Sequence, residues 1–345
     1  MNARVDKLRP GLDEPLLVTN PVNLFYLSGF KSSNAALLIE PERVRLFSDF
    51  RYAEAASAVE GVEFEETERA LLKDLARRLS GRIGFEADFV TYSGWKTLGS
   101  DSVQPVPHSG LVERLRAVKD ERELDAIRRA CKITDRVYER IAKERFIGRS
   151  ERDIAWTMEQ LFHDEGAHEV AFETIVASGP NGARPHGRAT DRTIESGETV
   201  VIDAGCTVDG YASDYTRTFA TGPLDDDLKQ AYEVCRQAQQ AALEGIRAGL
   251  TGVDADGIAR EVVDESPFRG LFGHGLGHGL GLQTHEAPRL STESADTLGP
   301  GNVVTVEPGI YLGGRGGIRI EDDVVVAEDG IENLTGFRKD LIEVG

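Results

Sequence analysis

The 345-residue sequence predicts an α+β protein: a small N-terminal α/β domain over 1–116 and a larger α+β domain over 117–345. Three observations predict it. The first part alternates short apolar runs with helical stretches. A proline- and glycine-bearing segment then gives way to charged helix. Beyond it, two helix-bearing pieces alternate with two pieces rich in valine, isoleucine and glycine, the pattern of a duplicated α+β architecture, although no sequence repeat accompanies it.

In chain order, LLVT, AALLIE, VRLFSD and GRIGFE read as strands, with Arg51–Val59 and Glu68–Leu79 as helices among them. The boundary falls in PVPHSGLVERLRAVKDEREL. From there Leu124, Ile127, Cys131, Thr134, Tyr138 and Ile141 recur at steps of three and four, one face of an amphipathic helix. Ser150 with Asp153 opens a second helix, through Phe162, in the manner of a capping box. A third runs over roughly Asp226–Arg247, and the stretches 172–220 and 268–330 read as sheet.

Composition narrows the function. A hydrophobic fraction of 40% and a charged fraction of 29% describe a globular chain with a proper core. No segment has the apolar length of a membrane helix. The N-terminus lacks the apolar stretch of a secretory signal, so the cytoplasm is the expected location. Cys131, Cys206 and Cys235 fit no zinc or disulfide framework and are expected to be reduced. The 59 acidic residues against 40 basic give a net charge of -19, which makes nucleic acid and anionic membranes poor partners.

Three segments carry chemistry. In TVVIDAGCTVDGYASDYTRTFA an apolar run stops on Asp203, and Asp214 follows eleven residues later, with the hairpin signal Asp209-Gly210 between them. A two-residue turn there sets Asp203 opposite Thr216 and Asp214 diagonally on the same face, where the pair can share a cation. A three-residue turn would separate them, and either aspartate alone could be a strand-end residue bonded to backbone. In FGHGLGHGLGLQTHEAPRL, His274, His278 and His285 are three of seven histidines within twelve residues, interleaved with glycine. His278 and His285 lie an odd number of residues apart, so a regular strand would not aim both at one point, and different roles are expected. In VVTVEPGIYLGGRGGIRIEDDVVV, two β-branched runs flank the turn Gly313–Gly317, so a hairpin brings Glu307 and Glu321 together. Arg319 shares the face of Glu321, as a surface charge or a support for the site.

Asp203, Asp214, Glu307 and Glu321 carry a formal charge of -4. Close carboxylates cannot all ionise, and two divalent cations restore balance. Four carboxylates and one imidazole suit Mn²⁺, with Co²⁺ or Zn²⁺ as alternatives. The sequence has no HExxH, which sets it apart from zinc proteases of that type.

The strings VIDAG, SDYTRT, GHGLGHGLG, THEAPRL, VEPGIY and GIRIEDDVVV resemble the pita-bread metallopeptidases, and within them the aminopeptidase P and prolidase branch. The resemblance spans about 117–345 and extends loosely to NPVNLFYLSGF. It implies a pita-bread catalytic domain behind a creatinase-type N-terminal domain. It also implies that Asp203 binds one metal, His278 and Glu307 the other, and that Asp214 and Glu321 bridge. His186 and His285 match the substrate-contacting histidines, His285 at the carbonyl oxygen, and Glu307 matches the proton shuttle. Creatinase lacks the full ligand set, and methionine aminopeptidases usually lack this N-terminal domain and motif context. The implied reaction is hydrolysis of the bond before proline, a tertiary amide that ordinary exopeptidases handle poorly. The substrates are then small proline-containing peptides, as Xaa-Pro dipeptides (prolidase) or longer chains (aminopeptidase P). Arg289 is either a clamp for a dipeptide carboxylate or a surface arginine, and Arg319 joins it among the residues expected on the substrate side. Members of this branch are commonly homodimers in which one subunit's N-terminal domain walls the other's site. A non-catalytic binding protein on the same fold is the remaining alternative, against which the intact ligand set weighs.

Overall fold

The computed structural model describes residues 3–345 and divides into two compact units, Met1–Arg116 and Ala117–Gly345. In the first, strands β1 (Leu16–Val18), β2 (Ala35–Ile39), β3 (Val44–Asp49), β4 (Glu63–Thr67), β5 (Gly81–Glu86) and β6 (Val103–His108) form one sheet in the order β4-β3-β2-β1-β5-β6. Helices α1 (Ala3–Leu8), α2 (Pro21–Ser28), α3 (Ala53–Ser57), α4 (Leu71–Arg78) and α5 (Tyr92–Leu98) accompany it, and α6 (Leu111–Ala117) closes the unit. The four expected strands and two helices are present. Strands β4 and β6 and helices α1, α2 and α5 are additional. Strand β4 is rich in glutamate and β6 carries two prolines, compositions tolerated at the two edges of a sheet.

In the second unit the amphipathic stretch forms α7 (Glu121–Ile141), opened by a capping box of Asp120 and Glu123. Leu124, Ile127, Cys131, Thr134, Tyr138 and Ile141 are all buried, as the spacing requires. Helix α8 (Glu151–Asp164) begins on the Ser150–Asp153 capping box. The chain continues through β7 (Glu169–Val170), β8 (Ile175–Ser178) and the single turn α9 (Gly179–Gly182). Between 183 and 198 it forms only an isolated bridge, Ser150 with Thr193, so sheet does not fill the whole expected stretch. Next come β9 (Thr199–Ala204), β10 (Cys206–Val208), β11 (Tyr211–Ala212) and β12 (Tyr215–Ala220).

The second helix pair is α10 (Asp226–Gly245) and α11 (Gly252–Asp264). Helix α10 stops short of the expected end, and α11 was not expected. The final strands are β13 (Gly277–Gly279), β14 (Glu286–Leu290), β15 (Val303–Val306), β16 (Gly309–Leu312), β17 (Gly316–Arg319), β18 (Asp322–Ala327), β19 (Gly330–Asn333) and β20 (Ile342–Glu343).

The unit thus contains two similar halves. Helices α7 and α8 share one core with β8, β9 and β12, through Tyr138, Phe162, Val200 and Phe219. Helices α10 and α11 share another with β15 to β18, through Cys235, Ala259, Val304 and Ile318. Burial of these apolar faces removes them from water and sets the strand ends that carry the acidic residues.

Candidate metal centre and active site

The turn between β10 and β11 decides where Asp203 and Asp214 go. Val208 pairs with Tyr211, so the turn has two residues. Asp209 and Gly210 take φ of 53° and 89°, the left-handed pair that a type I′ hairpin demands and that an Asp-Gly sequence supplies. The register carries through to Asp203 opposite Thr216, as that turn predicts. Asp214 falls between β11 and β12, its N–H donating to Asp323 Oδ2 at 2.9 Å. Both aspartates face one cavity of about 720 Å³.

The β15–β18 ribbon delivers the other two carboxylates. Val306 pairs with Asp322 and Gly309 with Arg319, which sets Glu307 opposite Glu321 at the break that Pro308 makes between strands. Strand alternation turns Thr216 and Glu321 inward, where Thr216 Oγ1 donates to Glu321 Oε2 at 2.6 Å. The same alternation turns Arg217 and Asp322 outward into a buried ion pair of 2.8 Å.

The glycine-rich segment is not a regular strand. A bulge falls between His278 and Gly279, and a loop leads to β14. His278 and His285 are therefore brought into one cavity, ring centroids 4.1 Å apart, contrary to what an unbroken strand would do. Gly277 and Gly279 bracket His278 tightly. A Cβ on either would collide with a carbonyl oxygen, of Thr305 and Ala287 respectively.

Every candidate residue lines this cavity: His186, Asp203, Asp214, His278, His285, Arg289, Glu307, Arg319 and Glu321. They are not equally close. Asp214, His278 and Glu321 offer ligand atoms all within 4.8 Å of one another. His278 Nε2 lies 3.4 Å from Glu307 Oε1 and 3.7 Å from Asp214 Oδ2. Asp203 turns Oδ2 to Arg319 Nη2 at 2.6 Å, while its buried Oδ1 has no hydrogen-bond partner. His186 and Arg289 are exposed on the cavity wall.

The electrostatics show what the cluster lacks. Burial, reinforced by the neighbouring carboxylates, pushes Asp214 and Glu321 far above the usual carboxylate range. Burial also raises Glu307, opposed by His274 and Arg319. Burial lowers His278 and keeps it neutral. Its Nδ1 faces the Gly279 carbonyl at 3.1 Å and must carry the proton, so the Nε2 lone pair points at carboxylate oxygens. Acceptors facing acceptors, with the orphaned Asp203 oxygen on the same cavity, form a donor set that fits divalent cations.

Of the residues that hold this set in place, the sequence offered Arg319 as a support and His274 by its spacing, whereas Tyr311, Thr216 and Thr305 went unnoticed as such. Arg319 is buried, and all its nitrogens are engaged. Nε donates to Thr216 Oγ1 (2.9 Å), and Nη1 to the Pro185 carbonyl (3.0 Å) and Tyr311 Oη (3.1 Å). Tyr311 Oη continues to His274 Nε2 at 2.9 Å, and His274 Nδ1 meets the Gly275 carbonyl at 2.8 Å. Thr305 Oγ1 accepts from His278 N at 3.1 Å and contacts Glu307 Oε1 at 3.2 Å. His274 was visible from its spacing. Tyr311, Thr216 and Thr305 look like ordinary strand residues.

The chain belongs to metallopeptidase family M24, whose model matches residues 125–328, and residues 9–118 match the creatinase/prolidase N-terminal domain. It is 34% identical to the Xaa-Pro dipeptidase of Pyrococcus furiosus over 99% of this chain and 100% of that one. Among solved structures it is similar to the Xaa-Pro dipeptidase from Bacillus anthracis (TM-score 0.94, 38% identity, 99% of both chains). It is also similar to the X-Pro aminopeptidase from Thermotoga maritima (TM-score 0.90, 35% identity, 99% of this chain and 100% of that one). The expected α+β fold, with a creatinase-type domain ahead of the catalytic one, is thereby met. No helix among the described residues is long and apolar enough to cross a membrane.

Proposed function

We propose that this chain is a dinuclear metal-dependent exopeptidase that hydrolyses the bond between an N-terminal residue and proline, with Xaa-Pro dipeptides as preferred substrates. The observation that carries this reading is the meeting, in one cavity, of the acidic cluster and Arg289, whose guanidinium makes no ion pair among the described residues.

Asp203, Asp214, His278, Glu307 and Glu321 would hold two divalent ions, with Mn²⁺ favoured over Co²⁺ or Zn²⁺. Divalent cations bound there acidify water and polarise the scissile carbonyl. Glu307 accepts the proton from water and delivers it to the proline nitrogen. His285, kept neutral by burial and by His278, retains one N–H and donates it to the carbonyl oxygen as charge develops there. His186, exposed on the cavity wall, meets the substrate. Arg289 pairs with the free carboxylate of the dipeptide, a match of fork to carboxylate. Arg319 serves through Asp203 and Thr216, because its donors are already committed.

The likeness to an X-Pro aminopeptidase supports a second reading, in which longer peptides are the substrates. Comparing specificity constants for Xaa-Pro and Xaa-Pro-Yaa decides between them. The dipeptide should be the better substrate, and a clear preference for the tripeptide would make the chain an aminopeptidase. Turnover of neither would leave a binding protein.

A further inference from the structure

His285 presents its ring to the cavity, and among the described residues no hydrogen bond to that ring is seen. Its one ring contact among the described residues is with His278, centroids 4.1 Å apart. The placement of a group that must meet a carbonyl oxygen to within a fraction of an ångström therefore rests on the backbone of the loop 280–286. That loop is fixed from behind. Strand alternation turns Glu286 away from the side of His285, and its Oε1 meets Lys119 Nζ at 2.8 Å. Both side chains are almost inaccessible, at 1% and 6%. Lys119 stands on a rigid base. Its N–H donates to the Gly301 carbonyl at 2.9 Å, Val118 bridges to Asn302, and Asp120 caps α7. The Glu286 carboxylate lies directly over Gly281, where a Cβ would collide with Oε1, so the pair closes both arms of the loop. The Gly281 carbonyl in turn accepts from Ala212 N at 2.9 Å.

We propose that the buried Lys119–Glu286 ion pair is a positioning device for the reaction: it locks the 280–286 loop and thereby aims His285. The proposal rests on the role for His285 given above. A pair this buried adds little net stability, but removing one partner takes away a close counter-charge at a buried site and lets the loop shift. Lys119 and Glu286 are positioning residues, since neither is placed against substrate or metal.

The test is a kinetic cycle on the full-length, metal-loaded enzyme. It compares kcat for an Xaa-Pro dipeptide in the parent, Lys119→Met, Glu286→Gln, His285→Ala, and each of the first two combined with His285→Ala. Misplacing a catalytic group by about an ångström costs on the order of a hundredfold, so each positioning variant alone should lose roughly ten- to a hundredfold in kcat. Metal content by elemental analysis should stay at the parent level. In the His285→Ala background the same changes should cost less than about twofold, because the group they aim is gone. Parent-level kcat in a folded Lys119→Met or Glu286→Gln variant would overturn the proposal. So would losses that multiply in the double variants. If Lys119→Met fails to fold, the near-isosteric Glu286→Gln carries the same comparison. The two layers separate cleanly: parent-level kcat in His285→Ala refutes the role of His285 itself, whereas a slow His285→Ala with multiplicative losses refutes the positioning device alone.

Discussion

Arg289 and Arg319 are two arginines of one cavity in opposite circumstances. Arg319 is buried, with every nitrogen bonded to protein, whereas Arg289 is exposed and its guanidinium makes no ion pair among the described residues. Replacing Arg319 by Met strands Asp203 and should destabilise the fold by about 3–5 kcal/mol, measurable by urea unfolding. Arg289→Ala should leave stability unchanged and act on substrate. A charge-assisted contact to a carboxylate is worth roughly 1.5–3 kcal/mol, about ten- to a hundredfold in specificity constant. That loss should fall on Xaa-Pro and largely spare Xaa-Pro-Yaa, whose carboxylate lies farther along. An unmoved ratio between the two substrates would make Arg289 a bystander. His285→Ala should slow both substrates alike, since the oxyanion forms in either reaction. The sequence reveals such residues unevenly. Carboxylates that interrupt apolar strands stand out because burial without a partner is costly. Tyr311 and Thr216 do not, since tyrosine and threonine are favoured in strands for reasons unrelated to catalysis.

At the scale of elements, the site depends on two tight constructions, the Asp209-Gly210 turn and the approach of Gly277 to Thr305. The turn was legible because its two residues have a known geometry that fixes the register of the strands on either side. The second was legible only as glycine richness, and the bulge at His278 that brings His285 beside it was not. Gly277→Ala drives a Cβ into the Thr305 carbonyl, so the strand must shift. Such overpacking costs about 1–3 kcal/mol, and because His278 is the next residue, metal affinity should fall with stability in calorimetric titration. Unchanged affinity would mean that the strand relaxes without moving the imidazole. Helix α11 escaped detection because Gly252, Gly257 and three valines weaken its helical pattern. Its real signals were the Thr251 cap on Asp254 and the buried step Ala255, Ala259, Val263. Strands β4 and β6 escaped because edge strands tolerate glutamate and proline.

At the scale of the molecule, the metal centre should govern stability as well as activity. The carboxyls of Asp214, Glu321 and Glu307 are raised in the fold, above about 4 in the unfolded chain. Stability from a raised group is present below its unfolded pKa and is lost as pH rises through the folded value. Without cations, the cluster therefore weakens the fold progressively toward neutral pH, and bound cations remove that penalty. The gain in Tm on adding Mn²⁺ to chelated protein should be larger at pH 8 than at pH 5, and a gain independent of pH would contradict it. For the N-terminal unit we propose a role in assembly and in shaping a partner's site. Light scattering should report a dimer, and a fully active monomer would refute that role. Elemental analysis paired with turnover tests the central claim most directly. Active protein should hold two divalent ions per chain, lose Xaa-Pro hydrolysis when they are chelated and recover it with Mn²⁺ or Co²⁺. Full activity in a preparation shown to be metal-free would contradict it.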